Sequence, residues 1–115
     1  MAPEGIDLRE KPKEEDSGTL DVNIDTDVVS DWIYIGDNNS VIFDVQLATG
    51  ASTISEIELE CSLDGSTPYP TGIKVVGSNK ISSPAKIAAL HVRLRVVKLQ
   101  GAAGTINYNI NTKTE

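Results

Sequence analysis

The chain has 115 residues, 17 acidic and 10 basic, for a formal net charge of −7, and 39% of it is hydrophobic. That length holds one domain and a tail, and the acidic balance argues against nucleic acid, whose phosphates are bound by Lys and Arg that release counterions. No apolar run approaches the roughly 20 residues that cross a bilayer, the polar start Met1-Ala2-Pro3-Glu4 lacks a signal-peptide core, and Cys61, the single cysteine, has no disulfide partner within the chain.

Residues 1–18 read MAPEGIDLREKPKEEDSG, six acids against three bases, with Ile6 and Leu8 as the large aliphatics. So little apolar area does not offset roughly 1–2 kcal/mol of backbone entropy per ordered residue. The segment is predicted to be an extended N-terminal arm, disordered in the isolated protein and held elsewhere only by a surface to lie on. Its contact residues would be Ile6, Leu8 and Arg9. Residues 19–115 form the folded domain.

From Thr19 the hydrophobic period becomes 2. Leu20, Val22 and Ile24 alternate with Asp21, Asn23 and Asp25, which predicts a half-buried strand. Asp21, Asn23, Asp25, Asp27 and Asp31 crowd this region with oxygens of the kind calcium prefers. The glycine and distal glutamate of an EF-hand loop are missing, however, and a solvated strand face accounts for the acids. Trp32 to Ile35 is apolar on both faces, Trp32 and Tyr34 on one and Ile33 and Ile35 on the other. Only one of these faces can line a core, so Trp32, Ile33, Tyr34 and Ile35 are predicted to meet a partner. Packing against another subunit fits this strand better than a sugar-stacking platform.

Further strands are predicted at Val41–Leu47, Ile57–Leu63, Ile73–Val76, Val92–Val96 and Ile106–Ile110, separated by glycine- and asparagine-rich turns. Ser83 to Leu90 is the one candidate for a helical turn, with Pro84 at its first position. A β-bulge is expected after Val96, where the inward phase slips towards Leu99. Seven or eight short strands without an amphipathic helix specify an all-β fold, an antiparallel β-sandwich or jelly roll with an N-terminal arm.

Catalytic constellations are not legible. His91 shares a strand face with Arg93 and Arg95, Cys61 falls in core phase, and one Cys with one His cannot make a zinc site. Neither an enzymatic activity nor a cofactor is expected. Glu56, Glu58 and Glu60 form an acidic stripe, and His91, Arg93 and Arg95 a basic one. Neighbouring strands would pair these charges and fix register; otherwise each stripe is a solvated face or meets its opposite on an adjacent copy.

Leu59 to Tyr69 reads LECSLDGSTPY, and Leu90 to Ile110 reads LHVRLRVVKLQGAAGTINYNI. Ser62, Asp64, Gly65 and Tyr69, followed by Val92, Arg93, Val96, Gly101 and Ala102, resemble a pattern of small virion proteins of tailed bacteriophages. There a strand ends in Ser-x-Asp-Gly with an aromatic beyond it, and a Val-Arg-x-x-Val strand leads into a Gly-Ala hairpin. The likeness spans most of residues 41–110, and Thr67-Pro68-Tyr69 stands where the pattern commonly has tryptophan. It implies a non-enzymatic capsid decoration (cement) protein, made in the host cytoplasm and resident in the virion. Its partners would be the major capsid or another virion protein and further copies of itself, with no nucleic acid or membrane. A tail, neck or baseplate component is the alternative within that class, and a carbohydrate-binding adsorption module the alternative outside it.

Overall fold

The structure, a computed structural model, describes residues 14–49, 56–77, 80–82, 85–87, 89–97 and 103–114. Among these lie ten strands and no helix: β1 (Glu15–Val22), β2 (Val28–Val29), β3 (Ile33–Tyr34), β4 (Ser40–Thr49), β5 (Ile57–Ser62), β6 (Tyr69–Val75), β7 (Lys80–Ile81), β8 (Ala85–Lys86), β9 (His91–Val96) and β10 (Gly104–Lys113). They make two five-stranded antiparallel sheets. One runs β1-β10-β4-β7, with β8 also on β4; the other runs β2-β9-β5-β6, with β3 also on β9. The all-β fold expected from the alternating sequence is the fold found.

Period-2 alternation places one apolar row of each strand between the sheets. In the first sheet Phe43 faces Ile110, Val45 faces Tyr108 and Leu47 faces Ile106 across β4 and β10. In the second, Ile57 faces Val96 and Leu59 faces Leu94 across β5 and β9. Phe43, Val45, Ile57, Leu59, Val92, Leu94, Ile106 and Ile110 are buried outright, each contributing about 1.5–3 kcal/mol of apolar transfer. Gly18 lies opposite Tyr108, and a Cβ there would stand 2.9 Å from the Tyr108 hydroxyl. The bare glycine makes room for the ring.

Each sheet has an interrupted edge, and a buried serine stands at each break. Between β2 and β3, the Ser30 amide donates to Leu94 O (2.9 Å) and its Oγ accepts from the Leu94 amide (2.9 Å). Beyond β7, the Ser82 amide donates to Phe43 O (2.8 Å) and its Oγ accepts from the Phe43 amide (3.0 Å). One hydroxyl thus keeps a buried backbone donor satisfied where the regular ladder stops.

Three expectations need correction. Residues 15–18, assigned to the arm, are the first half of β1 and pair with Tyr108 to Asn111; ladder hydrogen bonds come from the backbone and need no apolar side chains. Ala85 and Lys86 are extended and pair with Val41 and Ser40, because the chain there runs along β4 and buries Ile87, whose amide donates to Asn39 O (2.8 Å). Ile24 is 46% exposed, since β1 ends at Val22 and Asn23 Oδ1 accepts from the amides of Asp25 and Thr26 to form a turn. Register shifts occur in β10 at Thr105/Ile106 and in β5 between Glu58 and Glu60. The one expected beyond Val96 leads into residues 98–100, outside the described residues.

Candidate functional site

Two surfaces carry the chemistry-bearing side chains. The first is the outer face of the second sheet. Register sets Glu58 opposite Arg95, Glu60 opposite Arg93 and Ser62 opposite His91, so the acidic and basic stripes lie on adjacent strands. Arg93 Nε donates to Glu60 Oε1 at 2.9 Å, and its guanidinium carbon lies 4.3 Å from the centre of the Trp32 ring. A cation held between a carboxylate and an indole face is stabilised by both. Arg95 pairs with Asp27 across the edge, Lys74 lies 3.7 Å from Glu56, and the Gly72 amide donates to Glu58 Oε2 (3.1 Å). Glu58 and Glu60 are each only 7% exposed, so this stripe is not a solvated face.

Beside it, the Tyr34 ring tilts against His91, centroids 5.4 Å apart, and His91 Nδ1 is buried without a hydrogen-bond partner. Gly65 takes a left-handed φ of 79°, and a Cβ on it would press the His91 ring at 3.3 Å. The Ser62-x-Asp64-Gly65 sequence is a self-bonded turn. Ser62 Oγ donates to Asp64 Oδ1 (2.8 Å), which in turn accepts from the amides of Ser66 and Thr67 at 2.8 and 2.9 Å. The Thr67 and Ser66 amides, with the Ser62 hydroxyl, hold the Asp64 carboxyl well below the usual carboxylate range. Of the residues carrying the resemblance, Ser62, Asp64 and Gly65 therefore build the β5–β6 connection and Val92, Arg93 and Val96 lie in β9, while Gly101 and Ala102 lie outside the described residues.

The second surface is the open side between β6 and the β7–β8 edge. A cleft of about 390 Å³ opens there between the sheets, lined by Cys61, Leu63, Tyr69, Ile87 and Ala89 together with the polar Thr71 and Lys86. Leu63 is 65% and Tyr69 55% exposed; elsewhere, Val76 is 61% exposed beyond β6, and Ile81, opposite Asp44 on the outer side of the first sheet, is 65% exposed. Burial first, and the Glu60 carboxylate second, push the Cys61 thiol above its ordinary value, which keeps it protonated and weakly nucleophilic. On the opposite side a cleft of about 440 Å³ is lined by Asp16, Gly18, Asp31, Trp32 and Tyr108 among others. Burial and the nearby carboxylates Asp16 and Asp31 raise the Tyr108 phenol, against a lowering hydrogen bond with Ser30.

No protein-family model matches the sequence, and no curated protein matches it. Among solved structures, YomS, a protein derived from the SPBc2 prophage, superposes with a TM-score of 0.50. It has 9% identity over 90% of this chain and 100% of its own. A chain from a structure of disulfide-linked pili, the Bacillus endospore appendages, gives a TM-score of 0.45 and 11% identity, with 97% of both chains covered. At such identities the likeness to YomS is one of fold.

The body residues expected to meet a partner divide. Ile33 and Ile35 are 4% and 0% exposed; both point into the chain's own core, which corrects their assignment to an interface. Trp32 and Tyr34 are half-buried on the other face, against Arg93 and His91. One ring face of Trp32 is thus covered by Arg93. Ile6, Leu8 and Arg9 lie outside the described residues. Of the acidic cluster near β1, Asn23 forms its turn and Asp27 turns to Arg95. Among the described residues no group of three or more His, Cys, Asp or Glu is placed to hold a metal.

Sequence reasoning missed Leu63, Tyr69, Val76 and Ile81 as surface. The available signal was positional: Leu63 directly precedes the Asp64-Gly65 turn, where strand alternation no longer decides which way a side chain points.

Proposed function

We propose that this chain is a non-enzymatic structural protein of a bacteriophage virion. In the most specific form of this reading it is a capsid decoration protein. Its body sits on the outer shell, and its N-terminal residues clamp a neighbouring subunit. The observation that carries the reading is the β6–β8 side of the sandwich, where Leu63 and Tyr69 leave apolar area in water beside the cleft they line. Apolar surface gathered in this way marks contact with another macromolecule. The body contact accordingly moves from the Trp32–Ile35 strand to the β6–β8 side. Two features support a virion setting: the resemblance carried by residues 59–69 and 90–110, and a fold shared with a prophage-derived protein. Lys74, Arg93 and Arg95 each meet a carboxylate on or beside the second sheet, which suits a scaffold better than a reaction centre.

A shell of repeated sites makes modest contacts sufficient, because an arm tethered to a docked body binds at high effective concentration. Binding only to the assembled shell stabilises that shell by mass action. The test is co-sedimentation of the full chain, and of a chain lacking residues 1–13, with heads and with tails separated from virions of the phage that encodes it. The full chain is expected to sediment with heads and the shortened chain to stay behind while still folded. Binding to tails alone would replace the decoration role with that of a tail component. Binding to neither would overturn the virion reading.

A further inference from the structure

β1 is an edge strand, and its outer edge is open. The Thr112 amide donates to Glu14 O at 2.9 Å, so Glu14, Asp16, Gly18, Leu20 and Val22 turn their backbone groups to β10. In an antiparallel ladder the residues between them point the other way. The amides and carbonyls of Glu15, Ser17, Thr19 and Asp21 therefore face outward, and no strand among the described residues pairs with them. Other edges are guarded. β6 carries Pro70, a left-handed Gly72 with φ 83° and a register shift against β5, while β2, β3, β7 and β8 are two residues long. Proline, bulges and shortness all discourage strand addition. The eight residues Glu15–Val22 have none of these.

Beside this edge lies the cleft of about 440 Å³, lined along β1 by Asp16 to Leu20 and on its far wall by Val29, Asp31 and Trp32. Side chains of an added strand alternate, so every second one would enter the cleft on the side of Asp16, Gly18 and Leu20. Val29 is 41% exposed there, and the Asp16 and Asp31 carboxylates both bear on the Tyr108 phenol. We infer that β1 receives an extended segment of a partner protein as an added strand, with a lysine or arginine and an aliphatic residue alternating on the side turned to the cleft.

Charge selects this occupant. β1 reads EDSGTLDV, three carboxylates and no cation. A second copy's β1, laid antiparallel about Gly18, would set Glu15 against Asp21 at both ends, and like charges directly opposed repel. A basic segment meets the same carboxylates favourably. The chain's own residues 1–13 would need a tight hairpin to run back along β1, and residues 9–14, REKPKE, lack the glycine or asparagine that such a turn takes. Main-chain bonds to the edge supply affinity, and the cleft supplies preference among sequences. This contact is independent of the shell contact on the β6–β8 side, and neither needs the other.

The probe is a library of random ten-residue peptides, displayed on mRNA and selected against the immobilised full chain. Enriched sequences are expected to carry Lys or Arg two positions from Val, Ile or Leu. A synthetic peptide of the enriched sequence should slow amide exchange at Ser17, Thr19 and Asp21. Asp16, Gly18 and Leu20, already bonded to β10, should change little. That alternation separates strand addition from contact through side chains. Ser17→Pro deletes an outward donor and no bond to β10, so it should melt as the unmodified chain does and bind the peptide about tenfold more weakly or worse. Asp31→Asn, off the strand altogether, should weaken binding up to about fivefold. No enriched sequence, an acidic or uncharged one, or slowed exchange that spares Ser17, Thr19 and Asp21 would overturn the inference. So would outward amides already slow in the full chain but fast in a chain lacking residues 1–13, which would give the edge to the chain's own arm. Slowing that grows with protein concentration and needs no peptide would give it to a second copy.

Discussion

Arg93 shows how one side chain organises a face of this protein. Its guanidinium closes on Glu60 at 2.9 Å and covers Trp32, leaving the carboxylate with a side chain 10% exposed. A buried pair adds little net stability over an apolar one, but losing one member strands the other charge at a cost of about 3–5 kcal/mol when burial is complete. Arg93→Glu is therefore expected to lower unfolding free energy by roughly 2–4 kcal/mol in urea titration. Adding Glu60→Arg should recover most of that loss. Adding Glu58→Arg should not, because Glu58 lies across from Arg95. Asp64 gives a second prediction, in pH. Its carboxyl titrates lower in the fold than in the unfolded chain, so its stabilisation is present above the ordinary carboxylate range and is lost as pH falls below about 4. Asp64→Asn keeps the turn's acceptor but not the titration. Its melting temperature should decline less steeply than that of the unmodified chain between pH 4 and pH 2.

At the scale of elements, the long strands were legible because alternation over five or more residues leaves few alternatives, as in Val41–Leu47 and Ile106–Ile110. The short edge strands were not. Two residues, such as Val28–Val29 or Ala85–Lys86, carry no period, and their pairing is decided by the neighbour they run beside. Nor did composition reveal Glu15–Gly18 as strand, since only backbone groups and the gap left by Gly18 for Tyr108 place it there. The charge stripes were visible as stripes, but their adjacency was one of three open readings, and burial of Glu58 and Glu60 follows from what covers them. Ser30 and Ser82 look like loop serines, yet each ends a sheet edge by serving a buried amide. Ser30→Ala should cost about 1–3 kcal/mol by leaving the Leu94 amide unpaired, and Ser82→Ala a similar amount through Phe43. Ser30→Thr, which keeps the hydroxyl, should lose less; denaturant midpoints decide both cases.

On the scale of the whole molecule, the two sheets meet where β1 touches β2, and among the described residues a cleft lies between them on the β6–β8 side. Leu63 and Tyr69 stand exposed beside that cleft. The start of β1 sets where a truncation becomes harmful. Removing residues 1–13 should leave cooperative unfolding intact in dilute solution. Removing 1–18 strips four ladder positions from β1 and should lower stability on the order of 2–3 kcal/mol, which thermal melts of the two truncations will distinguish. Beyond these, the account turns on which face meets another polypeptide. Hydrogen–deuterium exchange on the full chain, free and bound to purified heads, reads this directly. Protection gained on binding should concentrate in residues 63–69 and 1–13, with little change at Trp32, Tyr34 and Arg93. Protection confined to the Trp32–Arg93 face, with Leu63 to Tyr69 exchanging as in the free chain, would contradict it.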